Sequence, residues 1–194
     1  MSTLVVILFF MATLLCALQL SLFPDKRVKW GWLAGIALLV YLMHNKAVEQ
    51  SYAAFTRLLS NNSLMTDFSV IQTIEAIAGI LLSLYLVKSE YNERIDKKLY
   101  YLIYFPGIVF LPALFFFESF VFLKITGFDF KLTALALAVL FPLIVLGTTW
   151  LISWLVPEKP LRFELKFLLH IVQLIFAVIL YSSLSILQDF SFFH

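Results

Sequence analysis

The chain has 194 residues and a formal net charge of +2; 62% of its residues are hydrophobic and 13% charged, about half the charged share of a soluble domain. A spanning helix takes about 20 mostly apolar residues, so roughly 120 apolar positions correspond to about six spans and leave little for a water-soluble domain. These figures exclude a disordered chain, a collagen and a nucleic-acid binder, and with Cys16 as the single cysteine they also exclude a disulfide scaffold.

Apolar runs bounded by charge place the first span at 3–23, closed by Pro24-Asp25-Lys26-Arg27. No basic residue precedes it and no small-x-small site follows, so it is expected to be an uncleaved anchor rather than a signal peptide. The second begins at Trp30 and reaches about 50 only if helix continues through His44, Asn45 and Lys46. Ala47, Val48, Tyr52, Phe55, Leu58 and Leu59 then recur at helical spacing, which predicts an amphipathic continuation. Asn61-Asn62-Ser63 supplies a turn, and Thr66 or Asp67 is expected to cap a third span at 68–87. Further spans are expected at 99–125, 132–156 and 167–187, with a solvated loop around Glu90–Lys98 and a Phe-rich tail in the interface at 189–194. The expected fold is an all-α bundle of six spans forming a single domain over 1–194.

Ten of the 14 basic residues fall after spans 1, 3 and 5: Lys26, Arg27, Lys29, Lys88, Arg94, Lys97, Lys98, Lys159, Arg162 and Lys166. Basic flanks stay on the cytoplasmic side, so both termini are expected outside. Two sets of three spans would then run in opposite senses, as in inverted-repeat transporters, although the halves show no sequence match.

Ionisable groups within a span are costly, and each is a functional candidate. Glu75 falls in span 3, Glu118 in span 4, His44 at the end of span 2 and His170 in span 6. Ser69, Gln72, Ala76, Gly79 and Ser83 share the Glu75 side of their helix, while Val70, Ile74, Ile77, Leu81 and Leu84 face away. That small polar stripe is expected to pack against protein. A weaker stripe follows His170, Gln173, Ala177 and Ser185, and Gly31 and Gly35 form a GxxxG pattern.

At about 1.5 Å per residue, His44, Glu75 and Glu118 reach a common level roughly 10 Å from the outer boundary, a candidate proton or cation site. His170, about 5 Å from the other boundary, is expected to lie too far away to join them. Pro106, Pro112 and Pro142 interrupt spans 4 and 5. The chain has no HExxH, GxSxG, Walker or CxxC motif, so neither an enzyme, a cofactor nor a metal site is expected.

The segment Glu49-Gln50-Ser51-Tyr52, with Asn61 through Glu75, resembles small polytopic proteins that accompany ExbB and ExbD, the proton-driven motor of TonB-dependent transport in bacteria. That resemblance covers about 27 residues. It implies an accessory subunit of the bacterial inner membrane, with the lipid bilayer and ExbB/ExbD-like subunits as partners. ExbB itself has three spans and a large cytoplasmic domain, unlike this chain. Two roles remain open: a non-catalytic subunit of such an assembly, or a small self-sufficient proton or cation pathway.

Overall fold

The computed structural model describes residues 2–23, 25–50, 52–92, 107–125 and 128–191. They form seven helices and no strand: α1 (Ser2–Leu22), α2 (Lys26–Val48), α3 (Tyr52–Ser60), α4 (Asn62–Asn92), α5 (Phe110–Lys124), α6 (Phe130–Leu155) and α7 (Lys159–Ser191). Helices α1, α2, α4, α6 and α7 are long and apolar enough to cross a membrane. The chain is a multi-pass helical membrane protein.

Helix α1 carries no charge on any face and is the centre of the bundle: 61% of its apolar window is buried, against 28 to 33% for the other four. An all-round apolar helix can be enclosed from every side, whereas the others bury one stripe. Helices α4 and α7 pair most extensively, α2 packs on α6, and α1 touches α5, α6 and α7. The core gathers Leu15 and Leu18 with Ile36, Val40, Leu114, Phe141, Val145 and Phe163. Phe9 stacks on Phe117 with ring centroids 3.8 Å apart.

Local chemistry sets the ends of the helices. The side chains of Asp25 and Asp129 accept the Arg27 and Lys131 backbone N–H groups, both at 2.8 Å, capping α2 and α6. At the turn into α4 the cap is Asn61, whose side-chain oxygen accepts the Leu64 N–H at 3.3 Å, so the helix starts before the expected Thr66 or Asp67. Helix α2 does continue through His44, Asn45 and Lys46. It then stops, with the Glu49 and Gln50 N–H groups bonding back to Asn45 and Ala47, and the amphipathic stretch forms the separate α3.

Two other elements depart from the expected boundaries. Helix α7 starts eight residues before 167, because its charges find partners within the bundle. The Arg162 guanidinium donates to the carbonyls of Val156 (2.7 Å), Ser21 (2.8 Å) and Pro157 (2.9 Å), tying the end of α1 to the α6–α7 turn. The expected span 99–125 begins in residues outside the described set, as do Pro106, most of the Glu90–Lys98 loop and residues 192–194. Its described part is α5, whose 15 residues give about 22 Å of helix, short of the roughly 30 Å hydrocarbon core. Pro112 lies in the first turn of α5 rather than interrupting it, where no backbone N–H is required. Pro142 is interior to α6.

Candidate functional site

The site lies where α4 and α7 pair. The stripe Ser69, Gln72, Ala76, Gly79 and Ser83 is buried on α4, while Val70, Ile74, Ile77, Leu81 and Leu84 are exposed. Helix α7 presents Lys166, His170, Gln173 and Ala177, all buried at helical steps of three and four. The two stripes run antiparallel: the Ser69 hydroxyl donates to the Ala177 carbonyl at 2.7 Å, Gln173 meets Glu75, and the His170 ring lies on Gly79. A Cβ at Gly79 would overlap the imidazole, so only glycine admits this approach.

Glu75 is the junction. One carboxylate oxygen accepts the backbone N–H groups of Ile108 (2.6 Å) and Val109 (2.8 Å), which lead into α5. Val109 has no side-chain cap of its own, so a residue from a different helix supplies what a local Ser or Asp usually provides. The chain enters α5 through Gly107 at φ 99°, with space for a Cβ blocked by the Glu75 carboxylate at 2.6 Å. A helix start carries unpaired N–H donors and about half a positive charge, so it favours a carboxyl oxygen as acceptor.

The second Glu75 oxygen accepts the Gln173 side-chain N–H at 3.3 Å, and the Gln173 oxygen accepts from His170 Nδ1 at 2.8 Å. Every donor in this row points toward the carboxylate. One turn before His170, Lys166 is 4% exposed and donates to Gln19 on α1. Polar groups therefore run from the Arg162 end of α7 to the α5 N-terminus. Beyond Glu75 the bundle is closed by an apolar cluster of Val5, Phe55, Met65 and Leu180, with Phe116, Phe117 and Phe120 against it. Gln72, one turn from Glu75, has both side-chain polar atoms buried without a partner, as does Nε2 of Gln19.

The three sequence candidates occupy three different environments, and among the described residues no hydrogen bond joins them. Because α5 begins at the level of Glu75, Glu118 lies about 14 Å along that helix from it. Glu118 is fully buried, and neither of its oxygens has a partner. Lys124 does not reach it; its ammonium sits over the Phe120 ring, 5.9 Å from the centroid. His44 pairs its Nδ1 with the Tyr41 carbonyl of its own helix and lines an open groove with Asn45, Glu49, Asp129 and Lys131.

His170 stands closer to Glu75 than its expected depth allows, because α7 begins at Lys159 and carries it about 16 Å into the helix. Lys166 looks like a loop charge in sequence. The signal that recovers both residues is the spacing Lys166, His170, Gln173, Ala177, a stripe that starts before the apolar run. Among the described residues no group of three His, Cys, Asp or Glu is placed to hold a metal. No family model, curated protein or solved structure matches the chain.

Proposed function

We propose that the protein is a proton-responsive membrane component in which protonation of Glu75 releases the N-terminus of α5. The seating of the Glu75 carboxylate on the Ile108 and Val109 amides carries this reading. Hydrogen bonds to a charged acceptor contribute about 1.5–3 kcal/mol each, roughly twice a neutral pair, so a proton on Glu75 loosens the first turn of α5, while Phe110, Ala113, Leu114 and Phe122 keep the helix packed. Gln173 and His170 fix the carboxylate in place. A subunit that only fills space needs none of these ionisable groups at mid-helix.

With the crossing that α5 ends counted beside the five long helices, the chain spans six times, the basic loops favour both termini outward, and the apolar cluster beyond Glu75 closes the outer side. This device suits an accessory subunit of an ExbB/ExbD-like motor in a bacterial inner membrane; the alternative is a self-sufficient proton pathway. Purification in mild detergent decides between these roles: co-isolation of other membrane subunits at fixed ratio supports the first, and a monodisperse homomer the second.

Release of α5 is tested by spin labels at Leu111→Cys and Leu168→Cys in a Cys16→Ala background. The label separation is expected to change between alkaline and acidic buffer, and Glu75→Gln at alkaline pH should show the acidic distribution. A separation independent of both pH and Glu75 refutes the proposal.

A further inference from the structure

At the end of the bundle where α1 gives way to α2 and α6 to α7, basic residues outnumber acidic ones: Lys26, Arg27, Lys29, Lys159 and Arg162 against Asp25 and Glu158. Arg162 reaches the Ser21 carbonyl at the end of α1, and Lys26 and Lys29 follow at the start of α2, with Lys29 half-buried. Three of the five guanidinium N–H donors of Arg162 go to carbonyl oxygens, which are neutral and leave its charge unbalanced. The neighbouring carboxylate of Asp25 is turned to the Arg27 amide as a helix cap. Among the described residues no carboxylate pairs with Lys26, Lys29 or Arg162. Lys26 and Lys29 lie one turn apart on α2, so like charges on that face repel each other, and an anion bound between them and Arg162 relieves the repulsion.

Two exposed indoles indicate the source of that anion. Trp30, adjacent to Lys29, is 63% exposed, and Trp154, just before the α6–α7 turn, is 69% exposed. Indole rings on the exterior of a membrane protein sit at headgroup level. The cluster therefore faces the lipid–water boundary rather than a soluble compartment.

We propose that Lys26, Lys29 and Arg162 form a binding site for the phosphate headgroup of an anionic phospholipid, whose acyl chains run along the exposed apolar exterior beside Trp30 and Trp154. The inference rests on the chain being a membrane protein and is independent of any role for Glu75. Arg162 anchors the site because its carbonyl contacts fix it between α1 and α7. Lys26 and Lys29 on α2 supply the charges that close around the headgroup.

The test is native mass spectrometry of the purified full chain released from nanodiscs of phosphatidylcholine containing a minor fraction of phosphatidylglycerol. Wild type is expected to retain phosphatidylglycerol in preference to phosphatidylcholine. The Lys26→Gln, Lys29→Gln pair should weaken retention about fivefold per lysine, about 25-fold together. Lys46→Gln with Lys131→Gln, the same charge change on other exposed lysines, should leave retention unchanged and controls for net charge. Equal retention of the two lipids, equal loss in both variant pairs, or displacement of the lipid by inorganic phosphate overturns the proposal. Arg162 is left intact because its removal also unties the helix ends.

Discussion

Gly107→Ala tests the Glu75 seat directly. A Cβ at this position falls 2.6 Å from Glu75 Oε1 and 3.1 Å from its carboxyl carbon, so the carboxylate must shift, and the largest effect is the loss of its bonds to the Ile108 and Val109 amides. Losing two hydrogen bonds to a charged acceptor costs about 3 kcal/mol at the lower bound of about 1.5 each. An L-residue at φ 99° adds backbone strain of about 1.5 kcal/mol, for an expected total of about 4–5 kcal/mol. In a Glu75→Ala background the clash has no partner, and the same substitution should cost only the strain, about 1.5 kcal/mol. The double-mutant cycle therefore predicts a coupling of about 3 kcal/mol between positions 75 and 107, measured by unfolding of the purified protein in mixed micelles. Equal costs of Gly107→Ala in the two backgrounds would refute the idea that Glu75 holds the start of α5.

The close approach of α4 and α7 predicts that Gly79→Ala destabilises through the His170 ring, by about 1–3 kcal/mol as overpacking does; His170→Ala should relieve most of that loss in the same unfolding measurement. Gln19→Leu removes the acceptor of a buried ammonium and should cost about 3–5 kcal/mol, whereas Lys166→Met, which removes the charge itself, should cost far less. If Gln19→Leu proves the milder change, Lys166 is not held as a buried cation. Glu118 has no partner for either carboxyl oxygen, so Glu118→Leu is expected to raise thermal stability in detergent, and a clear drop in melting temperature would refute an unpartnered Glu118.

Much of the architecture follows from patterns that need no third dimension. The uninterrupted apolarity of residues 3–22 makes α1 a helix that can be enclosed, and it is the most buried of the spans. The alternation of small polar and aliphatic residues over 69–84 turns one face of α4 inward. These are properties of spacing, and helical periodicity converts spacing into a face. The helix boundaries were less legible, because charge normally marks the end of a span. Arg162 and Lys166 break that rule by meeting carbonyls and Gln19 inside the bundle, and α7 consequently begins well before its apolar run.

The amino-acid order alone determined that this is an all-helical membrane chain, and it singled out Glu75 as an ionisable residue amid small neighbours. It did not determine what Glu75 meets. Placing residues 44, 75 and 118 at one depth assumed straight, complete spans, whereas α5 starts at the level of Glu75 and carries Glu118 away from it. Only the tertiary structure brings residue 75 to the amides of 108 and 109 and to Gln173, because a cap between helices depends on where α5 starts against α4, and the sequence around residue 108 does not encode that position.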